Sequence, residues 1–247
     1  MHSSNRDGAA REVDLNTLRR VNTEKELIDF VFPVDVLNNP VLCKKPLIIT
    51  AAPDQVHMYN ERIIGLLPGV SRECFAAHSL EPAGFRSPYY REQDILELVP
   101  ELNPSGFAPS KLIVKTGAVY RLMKNLPGVE RGLFKGAHVI VTEQRSNILL
   151  VIKLVKEDGT VEDGEGTLLP RVNFTYDLPS GHTMVRRQFP LEPTYTVMLS
   201  EYEDKLGVER VGIDLWNQPF SKAQAQLQPV LSRIRSIKDD VAILSRQ

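Results

Sequence analysis

The segment from Lys111 to Val141 reads KLIVKTGAVYRLMKNLPGVERGLFKGAHVIV, and it confines the chain to a narrow range of folds. Leu112 and Val114 are apolar at alternate positions, the period of a strand buried on one face. Gly117 interrupts that alternation where a bulge or a close backbone approach is expected. A second strand-like run follows at Val119 to Met123, and Leu126-Pro127-Gly128 supplies a turn. After Gly132 and Gly136 comes a third run, Ala137 to Thr142. Short strands separated by glycines bury their apolar faces by bending back on one another, so the segment predicts a compact, strongly bent β-module. Lys111, Lys115, Arg121, Lys124, Arg131 and Lys135 give it a basic rim.

This module is expected to run from about residue 111 to about residue 190, with the acidic stretch KEDGTVEDGEGT (156–167) as a solvated hairpin tip. On its N-terminal side the pattern is different. Thr23-Glu24-Lys25-Glu26 has the form of a capping box, and Leu27, Ile28 and Val31 follow at helical spacing before Pro33. Pro46 to Thr50 is a continuous apolar run, as expected of a buried parallel strand. Gln55 to Leu67 then places Val56, Tyr59, Ile63 and Leu66 on one helix face, and Pro68-Gly69 stops it. Residues 71–110, rich in Pro, Gly and Ser, read as an irregular excursion with a short helix at Gln93 to Leu98. Thr194 to Leu199 and Val208 to Leu215 are strand candidates, and Gln224 to Arg235 reads as helical. An α/β framework therefore brackets a β-rich insertion, and its outer pieces are expected to fold together across it.

Composition removes several function classes. At 42% hydrophobic and 25% charged residues, the 247-residue chain reads as globular, with room for one large domain or two small ones. Its net charge of −1 gives no global pull toward polyanions, so any nucleic-acid surface must be a local patch. No apolar run reaches the roughly 18 to 20 residues that span a bilayer, and residues 1–21 read as a polar tail without the apolar core of a secretory signal. Two cysteines, Cys43 and Cys74, and five scattered histidines offer neither a disulfide framework nor a spaced metal-ligand set. An intracellular, reducing location is the default expectation, and no metal site is expected. Ser, His and Asp occur in no spaced nucleophile arrangement, which leaves small-molecule catalysis without a candidate.

Several motifs, in order along the chain, resemble the C-terminal half of PIF-type superfamily I DNA helicases, including those carried by Helitron transposons. LIITAAPDQVHMYNERIIGLLPG (47–69) resembles the family's I-L-T-x-x-N-x-x-V-x-x-I-N-x-x-I motif, with Thr50, Val56, Asn60 and Leu67-Pro68-Gly69 in register. LNPSGFAPSKL (102–112) resembles the lead-in to the family's inserted barrel. LLPRVNF (168–174) and RRQFPLEPTY (186–195) resemble its exit, where R-R-Q-F-P-L recurs. ERVGIDLWNQPFSKAQAQLQPVLSRIRS (209–236) resembles the closing motor segment, with Leu231-Ser232-Arg233-Ile234-Arg235-Ser236 in place.

The fold implied by this resemblance is α/β: a second RecA-like motor lobe of the P-loop NTPase superfamily, interrupted by a β-rich, SH3-like barrel insertion. Domain limits follow as a tail at 1–21, the first part of the lobe at 22–102, the barrel at 103–192 and the second part of the lobe at 193–247. The resemblance implies ATP-dependent DNA unwinding in replication, repair, recombination or transposition, in the nucleus, with single-stranded DNA as partner. Thr50, Asn60, Lys115, Arg186 and Arg187 are the implied DNA contacts. Arg233 is the implied catalytic arginine, reaching the γ-phosphate of ATP as a fixed guanidinium fork, and Gln226 is implied as a second nucleotide contact.

The departures limit this reading. Where the family carries Pro-Arg-Asn after its Thr, this chain has Ala51-Ala52-Pro53. Where the family has M-T-I-N-K-S-Q-G-Q-T, residues 198–207 place Glu201, Glu203 and Asp204, and carboxylates repel a phosphate at low effective dielectric. Pro229, in the expected helix before Arg233, removes a helical hydrogen bond. No G-x-x-x-x-G-K-[ST] occurs anywhere in the 247 residues, so the phosphate cradle that would hold ATP and Mg2+ is expected to lie in a missing N-terminal motor lobe. Two function classes follow: part of an ATP-dependent helicase that is not autonomous, or a helicase-derived module that binds single-stranded nucleic acid or protein without ATPase activity.

Overall fold

The computed structural model describes residues 18–82, 91–104, 106–126, 132–201, 208–215, 231 and 240–244. In chain order the strands are β1 (Arg19–Val21), β2 (Leu47–Thr50), β3 (Ser71–Phe75), β4 (Ala77–Pro82), β5 (Lys111–Lys115), β6 (Val119–Leu122), β7 (His138–Gln144), β8 (Leu149–Leu154), β9 (Thr167–Pro170), β10 (Val172–Asp177), β11 (His182–Gln188), β12 (Leu191–Pro193), β13 (Thr196–Met198), β14 (Val211–Asp214) and β15 (Val241–Leu244). The helices are α1 (Glu24–Val31), α2 (Val34–Leu37), α3 (Pro53–Leu66) and α4 (Glu92–Leu98). No described helix is long and apolar enough to cross a membrane. These elements form two compact units.

The first unit draws on the described residues within Met1–Pro33, Lys45–Tyr59 and Thr196–Gln247. Its sheet has the order β1-β15-β14-β2-β13, and every neighbouring pair is parallel. All residues of β2, β14 and β15 are buried, which is why LIIT, VGID and VAIL read as unbroken runs rather than alternating ones. Because β2 lies between β13 and β14, chain segments from before and after the second unit share one sheet.

Helix α1 covers part of this sheet. Thr23 is its N-cap, its hydroxyl accepting from the Glu26 amide at 3.1 Å. Glu26 reaches back to the Asn22 amide at 2.9 Å, so the expected capping box closes one residue before the cap itself. Leu27, Ile28 and Val31 are buried as their spacing predicts. Gly212 on β14 is what lets the helix lie so close. A Cβ there would sit 2.7 Å from Val31 Cγ2 and 3.0 Å from Leu27 Cδ1.

The second unit spans Val34–Lys44 and Asn60–Tyr195. It contains three antiparallel sheets: β12-β6-β7-β8-β9, β10-β11-β4 and β3-β5. The turn between β5 and β6 uses Gly117 at φ +87°. Tyr120 ties the two strands together, its hydroxyl donating to the Ile113 carbonyl at 3.0 Å and accepting from the Lys115 amide at 2.8 Å. The acidic stretch 156–167 joins β8 to β9 as the expected tip, closed by a bridge between Val155 and Val161.

One expectation is corrected here. Residues 71–110 are not simply irregular: β3 and β4 lie within them, pairing with β5 and β11, and α4 covers the short helix expected there. Only Cys74 of β3 is buried and no β4 residue is. The pairing partners, not an apolar pattern, hold these strands.

Candidate nucleic-acid interface

At the carboxyl end of the parallel sheet, Thr50 closes β2 and Asp214 closes β14, and the two are register partners. Open α/β sheets bind ligands beyond this end of their strands. Asp214 is buried, and the Tyr59 hydroxyl on α3 donates to its Oδ2 at 2.9 Å. This bond fixes the helix that leaves β2 against β14. Thr50 is also buried, and its hydroxyl oxygen lies 3.4 Å from the Ala52 amide. A phosphate reaching this edge therefore meets the half-buried backbone of Ala51 and Ala52 before the Thr50 side chain. Asn60, one position beyond Tyr59 on α3, is buried as well.

In the second unit, the strand alternation of β11 separates two adjacent arginines. His182, Met184, Arg186 and Gln188 point into the unit, while Arg187 points out. Arg186 is fully buried. Its Nε donates to His78 Nε2 at 2.9 Å, Nη1 to Asn103 Oδ1 at 3.3 Å and the Ala108 carbonyl at 3.0 Å, and Nη2 to the carbonyls of Val99 at 2.9 Å and Leu102 at 2.6 Å. The guanidinium also lies 5.6 Å from the Phe107 ring centroid. A buried charge is thus neutralised by dipoles alone, with each N–H donor in use.

His78 must be neutral to accept that bond. Burial and, next, the neighbouring guanidinium hold its imidazole below the ordinary 6.5. The unfolded chain therefore takes up the proton first as pH falls. The contribution of this pair is complete above the unfolded value and drains away as pH drops toward and through the folded one. Urea unfolding at pH 7.5 and at pH 5, followed by circular dichroism, is expected to show a lower midpoint at pH 5. His78→Gln, which keeps an acceptor but cannot titrate, is expected to shrink that difference. An undiminished difference in the variant would place the acid sensitivity elsewhere.

Arg187 pairs in register with Asn173 of β10 and Ala77 of β4 and is exposed. Lys124 Nζ donates to the Asn173 carbonyl at 2.8 Å and stands 4.3 Å from the Phe174 ring centroid. Two cations thus flank one residue of edge strand β10. On the strand face opposite Arg187, beside Lys124 alone, Phe107 packs tilted on Phe174 with centroids 5.6 Å apart and edge-on to Tyr176 at 6.1 Å. Tyr176 is exposed. A cation next to an aromatic face, as Lys124 is, suits the backbone and bases of a single strand.

The other predicted side chains fall differently. Lys115 is not part of the basic rim: it is buried, and its Nζ donates to the carbonyls of Ile64 at 2.9 Å and Gly65 at 3.1 Å. There it caps the last turn of α3, where carbonyls lack helical partners and a cation is favoured. Burial lowers its pKa from the ordinary 10.5. Phe189 is core rather than a stacking surface, with the Arg171 guanidinium 5.1 Å from its ring centroid. The expected surface pair of arginines is therefore a single outward arginine, Arg187. Gln226 and Arg233 lie outside the described residues, as do residues 202–207, with Glu203 and Asp204, and Pro229. Among the described residues, no group of three or more His, Cys, Asp or Glu side chains is placed to hold a metal ion.

Solved helicases share this architecture. The Pif1 helicase from Candida albicans matches with a TM-score of 0.56 at 18% identity, over 91% of this chain and 54% of that one. A structure of two coordinating Pif1 helicases, described for DNA unwinding at forked duplex DNA, matches with a TM-score of 0.51 at 16% identity, over 91% of this chain and 47% of that one. The fold is Pif1-like. This Pif1-like chain spans about half the length of the helicases it matches, and its parallel sheet is the α/β framework of the fold it shares with them. Its sequence matches no protein-family profile and no curated protein.

Within the Pif1-like fold, sequence reasoning missed Asp214 as a fixed buried acid, its partner Tyr59, and Tyr176 as the exposed aromatic beside Lys124. The signal for Asp214 was an acid closing an otherwise apolar strand run. For Tyr176 it was an aromatic two residues after Phe174, on the same strand face.

Proposed function

We propose that this chain carries the second RecA-like motor lobe of a Pif1-type ATP-dependent DNA helicase and grips single-stranded DNA. The second unit is, in this reading, the SH3-like barrel insertion. The supporting observation is the all-parallel sheet assembled from segments on both sides of an antiparallel β unit, an architecture matched over 91% of the chain in the Candida albicans Pif1 helicase. DNA unwinding at forked duplexes, described for two coordinating Pif1 helicases, is the activity this reading brings to the intact protein. Nuclear replication, repair, recombination or transposition is its setting.

The division of labour follows from the residues. Arg187 meets the strand backbone from the outward face of β11, Lys124 and Tyr176 offer a charge and a ring on the face of β10 that carries Phe174, and the Ala51-Ala52 backbone, in front of buried Thr50, meets a phosphate at the sheet edge. The ATP phosphates and Mg2+ find no G-x-x-x-x-G-K-[ST] loop in these 247 residues, so they fall to a first motor lobe, with Arg233 and Gln226 completing the site from this side. ATP supplies the cycle of lobe movement; this chain supplies the grip.

Fluorescence anisotropy with a labelled oligo-dT and chain 1–247 tests the grip. Binding is expected to weaken with salt, and Arg187→Glu is expected to reduce affinity roughly tenfold and the log–log salt slope by about one. Arg187 points outward, so circular dichroism should be unchanged. No binding by the parent, or equal binding and slope in the variant, would sink the proposal.

A second reading has its own support. Glu201, Glu203, Asp204 and Pro229 stand where the helicase motifs carry phosphate-handling and helical residues, as in a binding module that has lost ATPase chemistry. Assays on a polypeptide with both lobes separate the two. DNA-stimulated ATP turnover abolished by Arg233→Ala supports the motor; tight DNA binding without turnover supports the module.

A further inference from the structure

The end of the parallel sheet opposite Thr50 and Asp214 carries a pocket of about 510 Å3 that the helicase reading does not use. Arg19 opens β1 and Arg210 directly precedes β14, so both stand at the amino end of parallel strands. Phe30 on α1 lies between them. The Arg19 guanidinium is 5.0 Å from the Phe30 ring centroid and that of Arg210 is 5.4 Å away. Arg210 Nη1 also donates to the Phe30 carbonyl at 3.1 Å. Arg20 completes the basic lining, and Glu26 and Asp29 are the acidic part of the wall.

The acids have partners on their own segment. Glu26 accepts from the Asn22 amide and Asp29 pairs with Lys25 at 2.6 Å. Among the described residues, neither Arg19 nor Arg210 forms an ion pair with a carboxylate. Two guanidinium groups are thus held on one ring with no carboxylate paired to either, in a cavity within the usual 300–1,000 Å3 range for small-ligand sites, whose lining carries three arginines against two acids. Planar guanidinium forks favour oxyanions that accept two parallel hydrogen bonds, phosphate above all.

We infer that this pocket binds adjacent phosphates, either those of a free diphosphate or two successive phosphates of a nucleic-acid backbone. It is a second anion site, separate from the strand grip around Arg187 and independent of the ATP cycle. Arginines on an edge strand also blunt sheet-to-sheet pairing; that role alone predicts no saturable ligand.

Amide NMR on 15N-labelled chain 1–247 reads the site directly. Inorganic pyrophosphate is expected to shift the amides of Arg20, Val21, Phe30 and Arg210 saturably, and Arg19→Glu to weaken that binding roughly tenfold. Arg19→Ala carries the same test if the Glu variant disturbs the spectrum. Arg187→Glu should leave these shifts intact, which separates failure of this site from failure of the strand grip. Saturable shifts of the same amides by oligo-dT, lost in the Arg19 variant, assign the site to nucleic-acid backbone. Shifts by pyrophosphate alone assign it to a free diphosphate. If neither ligand produces saturable shifts, or the Arg19 variants change nothing, the inference is overturned and the arginines only guard the edge.

Discussion

Arg186→Ala is expected to lower the stability of the fold by about 3–5 kcal/mol, read as a fall in the urea midpoint. The guanidinium joins β11 to His78 of β4 and to the carbonyls of Val99, Leu102 and Ala108, far apart in sequence. Truncation leaves those acceptors buried without donors, and each orphaned group costs about 1–3 kcal/mol. It also opens a void, because Arg186 is the largest fully buried side chain among the described residues. Arg186→Lys is the informative companion. Lysine keeps the charge but offers three donors from one point, and it cannot reach acceptors arranged around a planar fork. It is expected to recover only a minor part of the loss. Full recovery by lysine would show that charge, not the fork, holds the unit.

Gly212→Val is expected to cost about 2–3 kcal/mol by overpacking. The side chain would need the space that Leu27 and Val31 of α1 already fill. Helix α1 must then lift from the sheet, or β14 must shift against β15 and β2, which are buried throughout. Leu27→Ala alone removes a fully buried side chain and costs about 2–5 kcal/mol. Together the two changes are expected to cost clearly less than the two losses added, because the removed leucine makes room for the added valine. Strict additivity in urea unfolding would mean that the helix does not rest on Gly212.

What the sequence disclosed divides along physical lines. β2 and α3 were legible because a short, β-branched apolar run bounded by breakers suits a buried strand, and Pro68-Gly69 stops a helix locally. The cap at Thr23 and the turn at Gly117 were legible for the same reason: their partners lie within a few residues. β3 and β4 were not, since their order comes from partners on β5 and β11 rather than from their own alternation. Lys115 shows the limit most clearly. Its residue type and neighbours fit a surface rim, but the carbonyls that claim its ammonium belong to Ile64 and Gly65. In β11 the period of two did separate Arg186 from Arg187, yet it gave no sign that the polar set His182, Arg186 and Gln188 faces inward. Only the acceptors brought in by His78, Asn103 and the 99–109 segment decide that. The pair Tyr59 and Asp214 was hidden for the same reason.

The placement of β2 between β13 and β14 sets the order in which the protein can be made. Ile48 has Thr196 as one neighbour and Gly212 as the other, so a ribosome releases β2 long before either partner exists. Its three apolar residues, Leu47, Ile48 and Ile49, must stay exposed while the whole antiparallel unit is synthesised. Pairings so distant in the chain form slowly, and an unpaired, largely apolar strand invites association with other nascent chains. This interior strand is thus written long before both of its neighbours and is among the last secured, which makes early β2 the point at which a chaperone would have most to hold.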